Sequence, residues 1–81
     1  MADQLLLKEF GLRIRQLRNL LGLSQEELSE LTGFHRTYIG MVERGERNLS
    51  LSNVGVFAKT FEMSVSKLLE IDSIARQRQK K

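Results

Sequence analysis

The sequence of 81 residues contains no cysteine, no proline, no tryptophan and a single histidine. Without cysteine the chain forms neither a disulfide framework nor a thiolate metal site, and His35 has no second histidine with which to bind a metal. No apolar run approaches the roughly 20 residues that a membrane span needs, and the first ten residues lack the basic start of a signal peptide. We therefore expect a cytoplasmic protein with no membrane association and no metal or other cofactor.

Patterns associated with catalysis are missing as well. There is no glycine-rich phosphate loop and no nucleophile–base set, and a single domain of this length leaves little room for a substrate pocket. We expect that the protein is not an enzyme. The lack of proline, the few aromatic residues and the many leucines and glutamates instead favour an all-α fold, in the form of a small helical bundle.

The net charge of +3 does not by itself indicate a nucleic-acid partner. Four of the thirteen lysines and arginines lie at 76–81, so residues 1–75 carry nine basic and ten acidic side chains. A face that is locally positive remains compatible with these numbers. We divide the chain into a domain at 1–75 and a basic tail at 76–81. We interpret the tail as a solvated end, with a weak, non-specific DNA contact as the alternative.

Apolar spacing and capping residues predict five helices. Four of them follow a capping residue that is flanked by apolar residues at the hydrophobic-staple spacing. These capping residues are Ser24, His35, Ser50 and Ser64. The helices are expected at about 6–21, 25–32, 36–44, from 51 onward and from 65 onward. The apolar residues expected to face the core are Leu7, Phe10, Ile14, Leu17, Leu21, Leu28, Leu31, Ile39, Val42, Leu51, Val54, Phe57, Ala58 and Phe61.

Residues 24–42 contain the most specific pattern in the chain. Ser24 and Glu27 have the capping-box spacing at the start of one helix. Gly33 offers the left-handed position that ends this helix, and His35 caps the next. A bend of about three residues between two short helices is the helix-turn-helix layout. In DNA-binding proteins of this layout the second helix lies in the major groove, and its first residues contact base edges. Here these first residues are Arg36, Thr37 and Tyr38.

The side chains on the expected outer face can read DNA in different ways. Arg36 can donate two hydrogen bonds to guanine O6 and N7, and Thr37 can bond a base or a phosphate or offer its methyl to thymine. For Tyr38, partial burial, a phosphate contact and the sensing of DNA shape stay open. Gly40 costs about 1 kcal/mol relative to Ala inside a helix. A close approach to the groove and tight helix packing explain it equally well.

The string SQEELSELTGFHRTYIGMVERGERNLSL at 24–51 resembles the phage-repressor-like helix-turn-helix regulators. It is most similar to the controller proteins of restriction–modification systems, whose RTYI and ERGxRN strings are matched at 36–39 and 43–48. The resemblance covers about 8–70. It implies a compact, five-helix, lambda-repressor-like domain with the helix-turn-helix at helices 2 and 3.

The same resemblance implies a function. The protein would be a homodimeric transcription regulator that binds inverted-repeat operators in double-stranded DNA and regulates its own promoter and that of the endonuclease. A contact with RNA polymerase stays open. An antitoxin of a toxin–antitoxin pair and another phage-type repressor are the alternative readings, because such proteins share much of the same string.

The resemblance also suggests roles for individual residues. Arg18 would pair with Glu43, and Arg47 would join Arg36, Thr37 and Tyr38 in reading bases. The residues expected near the DNA backbone are Gln25, His35, Arg44, Asn48, Ser50 and Ser52. Helix capping or loop shape is the alternative role for several of these. The last helix would pair with its copy in a second subunit, unless its apolar residues belong to the internal core. The residues of this dimer patch are Met63, Val65, Leu69 and Ile71.

Overall fold

Five helices make up the protein in a computed structural model, which describes residues 3–71. They are α1 (Gln4–Leu20), α2 (Gln25–Thr32), α3 (Arg36–Glu43), α4 (Leu51–Thr60) and α5 (Val65–Leu68). No strand occurs within this part of the chain. The predicted all-α, five-helix class is therefore confirmed. The predicted boundary at residue 75 and the basic tail at 76–81 lie outside the described residues.

The helix starts agree with the predicted capping residues because capping is a local interaction. Ser24 Oγ accepts from the backbone N–H of Glu27 at 3.0 Å, and the Glu27 carboxylate accepts from the N–H of Ser24 at 2.8 Å. His35, Ser50 and Ser64 cap α3, α4 and α5 by accepting from a backbone N–H two or three residues further on. Asp3 caps α1 by accepting from the N–H of Leu6. The apolar pattern did not indicate this last cap, and the predicted α1 began two residues later.

The core lies between α1, α3, α4 and α5, with Leu28 contributed by α2. Phe57 is at its centre, and its ring lies 6.4 Å from that of Phe10 and 5.2 Å from that of Phe34, between centroids. Complete burial of a side chain of this size stabilises the fold by about 1.5–3 kcal/mol. The buried apolar residues are Phe10, Ile14, Leu28, Ile39, Val42, Phe57, Ala58, Phe61, Leu68 and Ile71.

Three leucines that were predicted to face the core are exposed instead. Leu21 is 59% exposed and follows the last residue of α1, where the chain turns away through Gly22 at a φ of +69°. Leu51 is 75% exposed because it is the first residue of α4 and precedes the turn that packs on the core. Leu31 is 60% exposed because short α2 contacts the core mainly through Leu28. The apolar period therefore predicted the wrong orientation for these three leucines, which lie at or near helix ends.

Helix α1 packs closely against the end of α3. A Cβ atom built on Gly11 would lie 2.5 Å from the carbonyl oxygen of Glu43, so this position has no room for a side chain. Gly45 follows α3 with a φ of +76°, and a Cβ there would lie 2.9 Å from the Cα of Lys8. These two glycines therefore let the backbone of α1 come into contact with the end of α3 and the residues that follow it.

Candidate DNA-binding surface

The bend between α2 and α3 is closed by hydrogen bonds of its own residues. Gly33 has a φ of +81°, and its N–H donates to the carbonyl of Ser29 at 2.8 Å. The hydroxyl of Ser29 donates to the carbonyl of Phe34, and the N–H of Phe34 donates to the Thr32 hydroxyl at 3.1 Å. The predicted three-residue bend is confirmed. These hydrogen bonds connect the end of α2 with the residues of the bend and so hold the orientation of α3 against α2.

A buried ion pair fixes the far end of α3. Arg18 of α1 donates to both carboxylate oxygens of Glu43, from Nε at 2.7 Å and from Nη2 at 3.0 Å, and Nη1 donates to the carbonyl of Leu23 at 2.8 Å. The side chains are 12% and 4% exposed. The hydrogen bond to Glu43, with the attraction of its charge, raises the pKa of Arg18 above its ordinary value despite burial. The pair implied by the family resemblance is therefore present.

Gln25 joins this pair instead of standing free at the start of α2. Its Nε2 donates to Glu43 Oε1 at 3.1 Å, and the side chain is half-buried. Glu43 thus receives three hydrogen bonds, from side chains of α1 and α2, which satisfy a carboxylate that is otherwise costly to bury. The expected contact of Gln25 with the DNA backbone stays a prediction, and it would use the hydrogen-bonding capacity that remains.

The outward face of α3 presents Arg36 and Thr37 to solvent, while Ile39 and Val42 of the same helix are buried. The Arg36 guanidinium comes within 4.0 Å of the Glu26 carboxylate. Both side chains are largely exposed, so this contact contributes little and does not fix Arg36 in place. The two residues therefore lie on the outer face of α3, as the helical period predicts. Their base-reading role stays a prediction.

Tyr38 is half-buried and links α3 to α4. Its hydroxyl accepts from Asn53 Nδ2 at 3.0 Å, and its ring packs edge-on against Phe34 at 5.0 Å between centroids. The guanidinium of Arg47 lies 5.3 Å from the centroid of the Tyr38 ring. Of the alternatives left open for Tyr38, partial burial is observed. Sequence reasoning missed Asn53, because its partner lies on another helix.

Gly40 is buried and does not lie on the outer side of α3, which corrects that expectation. A Cβ there would be 3.2 Å from Nη1 of Arg44 and 3.6 Å from Oε1 of Gln25. Both atoms are ends of flexible side chains, so a small side chain at this position would need only a slight shift of Arg44. The position faces the junction of α2 with α3, where a small residue fits.

The residues expected near the DNA backbone fall into two groups. His35 Nδ1 accepts from the N–H of Thr37 at 3.1 Å and Ser50 Oγ from the N–H of Asn53 at 3.1 Å, so both are helix caps. Arg44, Asn48 and Ser52 are exposed. Arg44 donates to both carboxylate oxygens of Glu46 at 3.1 Å, and this hydrogen bond, with the charge of Glu46, raises the pKa of Arg44. Phosphate contacts by these residues stay predictions.

Comparison with known proteins identifies the family. The helix-turn-helix family model matches residues 14–68. Over 56 residues, 69% of this chain and 67% of the relative, the sequence is 55% identical to the control protein C.SmaI of Serratia marcescens. The chain belongs to the helix-turn-helix family, among the restriction–modification controller proteins.

Two solved controller structures have the same fold as this helix-turn-helix protein. C.AhdI from Aeromonas hydrophila superposes with a TM-score of 0.73 at 47% identity, over 76% of this chain and 94% of that one. C.Esp1396I, solved as a tetramer in complex with its natural 35 base-pair operator, superposes with a TM-score of 0.70 at 28% identity, over 83% and 97% of the two chains. The resemblance drawn from residues 24–51 is thereby confirmed.

The expected dimer patch of this helix-turn-helix protein is only partly exposed. Met63, Val65 and Leu69 are half-buried, whereas Ile71 is 8% exposed and belongs to the core. Ile71 turns inward because its N–H donates to the carbonyl of Leu69 at 2.9 Å, which folds the chain back after α5. The assignment of Ile71 to a subunit interface is therefore corrected. The other three residues stay predictions.

Arg13 of α1 is half-buried and contacts the C-terminal end of α5. It donates to the carbonyls of Leu68 and Lys67. A separation of about fifty residues gives no local signal, so only the tertiary structure shows this contact.

Among the residues 3–71, no helix combines the length and the apolar character that crossing a membrane demands.

Proposed function

We propose that this protein is a homodimeric, sequence-specific regulator of transcription that binds pseudo-palindromic operators in double-stranded DNA. As a restriction–modification controller it would regulate its own promoter and that of the endonuclease. One observation carries this proposal. Arg36 and Thr37 project from the exposed face of α3, while the other face is fixed by the core and by the ion pair of Arg18 with Glu43. A rigid helix with free polar side chains at its start fits the major groove.

Base reading would use a small number of contacts. The forked donors of Arg36 match O6 and N7 of a guanine, and a good pair of this kind discriminates against a wrong base by about 1–3 kcal/mol. Thr37 would contact the neighbouring base or phosphate. Arg47, held over the ring of Tyr38, would reach the DNA from the loop after α3. Tyr38 would set the direction of Arg47 and sense the local shape of the groove.

Contacts with phosphates would fix the register of the protein on the duplex. The start of α2 presents free backbone N–H groups beside Gln25, and helix starts attract anions. Arg44 would have to exchange its exposed partner Glu46 for a phosphate, which is inexpensive for a solvent-exposed pair. His35, Asn48, Ser50 and Ser52 would supply further donors around this rim. Such contacts bind every sequence alike and leave specificity to α3 and Arg47.

Two subunits would place their α3 helices about 34 Å apart, so the half-sites would be about 10 base pairs apart. Met63, Val65 and Leu69 would form the apolar contact between subunits. The operator-bound tetramer of C.Esp1396I suggests that two dimers bind side by side here too. One bound dimer would then stimulate transcription, with a contact to RNA polymerase, and a second would repress it. The protein acts by binding alone, without catalysis, in the cytoplasm where its operator DNA lies.

Footprinting on the DNA upstream of the protein's own gene tests this proposal. We expect a symmetric protected region made of two related half-sites. Repeating the measurement at several salt concentrations counts the phosphate contacts, since log K falls by about 0.9 per contact for each tenfold rise in salt. An unprotected promoter region with salt-dependent binding to any duplex would contradict the proposal. A toxin that copurifies with the protein would favour the antitoxin alternative.

A further inference from the structure

A second arginine of α1 holds the C-terminal end of α5. Arg13 Nε donates to the carbonyl oxygen of Leu68 at 3.3 Å, and Nη2 donates to that of Lys67 at 3.1 Å. Carbonyls in the last turn of a helix lack regular partners one turn further on. A guanidinium at this position also faces the negative end of the helix dipole. Arg13 therefore closes the end of α5 in the way that a capping group does.

Helix α5 depends on such anchors because it is only one turn long. Its four residues do not form a stable helix alone, since helix nucleation is unfavourable. Ser64 caps the start by accepting from the N–H of Lys67 at 3.1 Å, and Leu68 is fully buried in the core. Arg13 supplies the remaining anchor at the other end. These anchors also fix the direction of the half-buried residues around α5, which are Met63, Val65 and Leu69.

The same helix carries the arginine that holds α3. Arg13 and Arg18 are five residues apart on α1, so they are about 7.5 Å apart along the helix axis and about 140° apart around it. One helix thus connects the end of the DNA-reading helix with the end of α5. In a dimer that forms through α5, the distance between the two α3 helices depends on how firmly α1 holds both elements.

We propose that Arg13 is a positioning residue that sets the half-site spacing accepted by the dimer. This inference rests on the proposed function, in particular on subunit contact through Met63, Val65 and Leu69. Removing the Arg13 side chain leaves the exposed face of α3 and its supports unchanged, while α5 loses its hydrogen bonds to α1 and is held there only by packing in the core. The variant dimer therefore accommodates half-sites that are displaced from the natural spacing.

The test compares the wild-type protein with Arg13→Ala and with Arg15→Ala, a matched control. Arg15 is exposed on the same helix, so its removal makes the same change in charge. Affinities are measured for operator duplexes whose half-sites are moved one base pair closer or further apart. We expect the wild type and Arg15→Ala to lose about tenfold in affinity on the displaced sites, and Arg13→Ala to lose less than about threefold. Thermal unfolding and binding to a single half-site show that each variant is folded and reads the same bases.

The outcomes separate this inference from the proposed function. A folded Arg13→Ala protein with the spacing preference of the wild type overturns the role of Arg13 and leaves the proposed function intact. A wild-type protein without any preferred spacing overturns the model of two half-sites itself. If Arg13→Ala does not fold, Arg13→Lys is measured by the same criterion, because it keeps the charge and replaces the forked donor by a single ammonium group.

Discussion

Removing the charge of Arg18 tests how α3 is held. In Arg18→Met the apolar stem remains, but Glu43 loses hydrogen bonds of 2.7 and 3.0 Å and keeps only the one from Gln25 at 3.1 Å. A carboxylate that is 4% exposed is then left without a charged partner. Breaking a buried pair in this way costs about 3–5 kcal/mol. We expect the lower end, about 3 kcal/mol, because Gln25 still satisfies one oxygen.

Urea unfolding followed by circular dichroism measures this loss, at a fixed protein concentration because the proposed dimerisation would contribute to stability. For a chain of this size the loss also lowers the midpoint of thermal unfolding by about 12–24 °C. Arg44→Met is the control, since it breaks an exposed pair with Glu46 and should change stability little. The double variant Arg18→Met with Glu43→Leu should recover at least half of the loss, because no buried charge remains. A loss below about 1 kcal/mol, or additive effects in the double variant, would refute the reasoning.

Three further variants test the packing and capping described above. Gly11→Ala should lower the free energy of unfolding in urea by at least about 1–3 kcal/mol, because its Cβ would overlap backbone carbonyls of α3. An unchanged free energy of unfolding would disprove the close contact. Ser50→Ala should lower the free energy of unfolding by about 1 kcal/mol, because α4 loses its cap. Ser52→Ala is the control and should lower it much less. Equal losses in the two variants would exclude the capping role. Tyr38→Phe should cost about 0.5–1.5 kcal/mol through its bond with Asn53, and an unchanged urea midpoint would count against that bond.

How much the sequence could predict depends on the range of each interaction. Helix starts were predictable, because Ser24 and Ser50 bond to N–H groups only three residues away. The ends of apolar stripes were not, since nothing local shows whether Leu51 is covered by another helix. Arg13 escaped prediction for the same reason. The pairing of Arg18 came from family resemblance, because no spacing rule connects residues 25 positions apart.

In the candidate DNA-binding surface, too, local features were predictable from the sequence and contacts between distant residues were not. The exposed side of Arg36 and Thr37 followed from the helical period, which also places Ile39 inside. Gly40 was assigned to the wrong side because its burial depends on the contact of α2 with α3. The inward turn of Ile71 depends on the chain folding back after α5, which has no sequence signal.

The most direct test of the account is the base preference of Arg36→Ala, measured by selection from randomised operator duplexes. The account predicts a loss of about 1–3 kcal/mol in specific binding, with base choice relaxed at one position in each half-site. Lys59→Ala, which removes an exposed positive charge near the far end of α4, should retain the full preference. A base preference of Arg36→Ala that is identical to that of the wild type at every position would contradict the assignment of α3 as the DNA-reading helix.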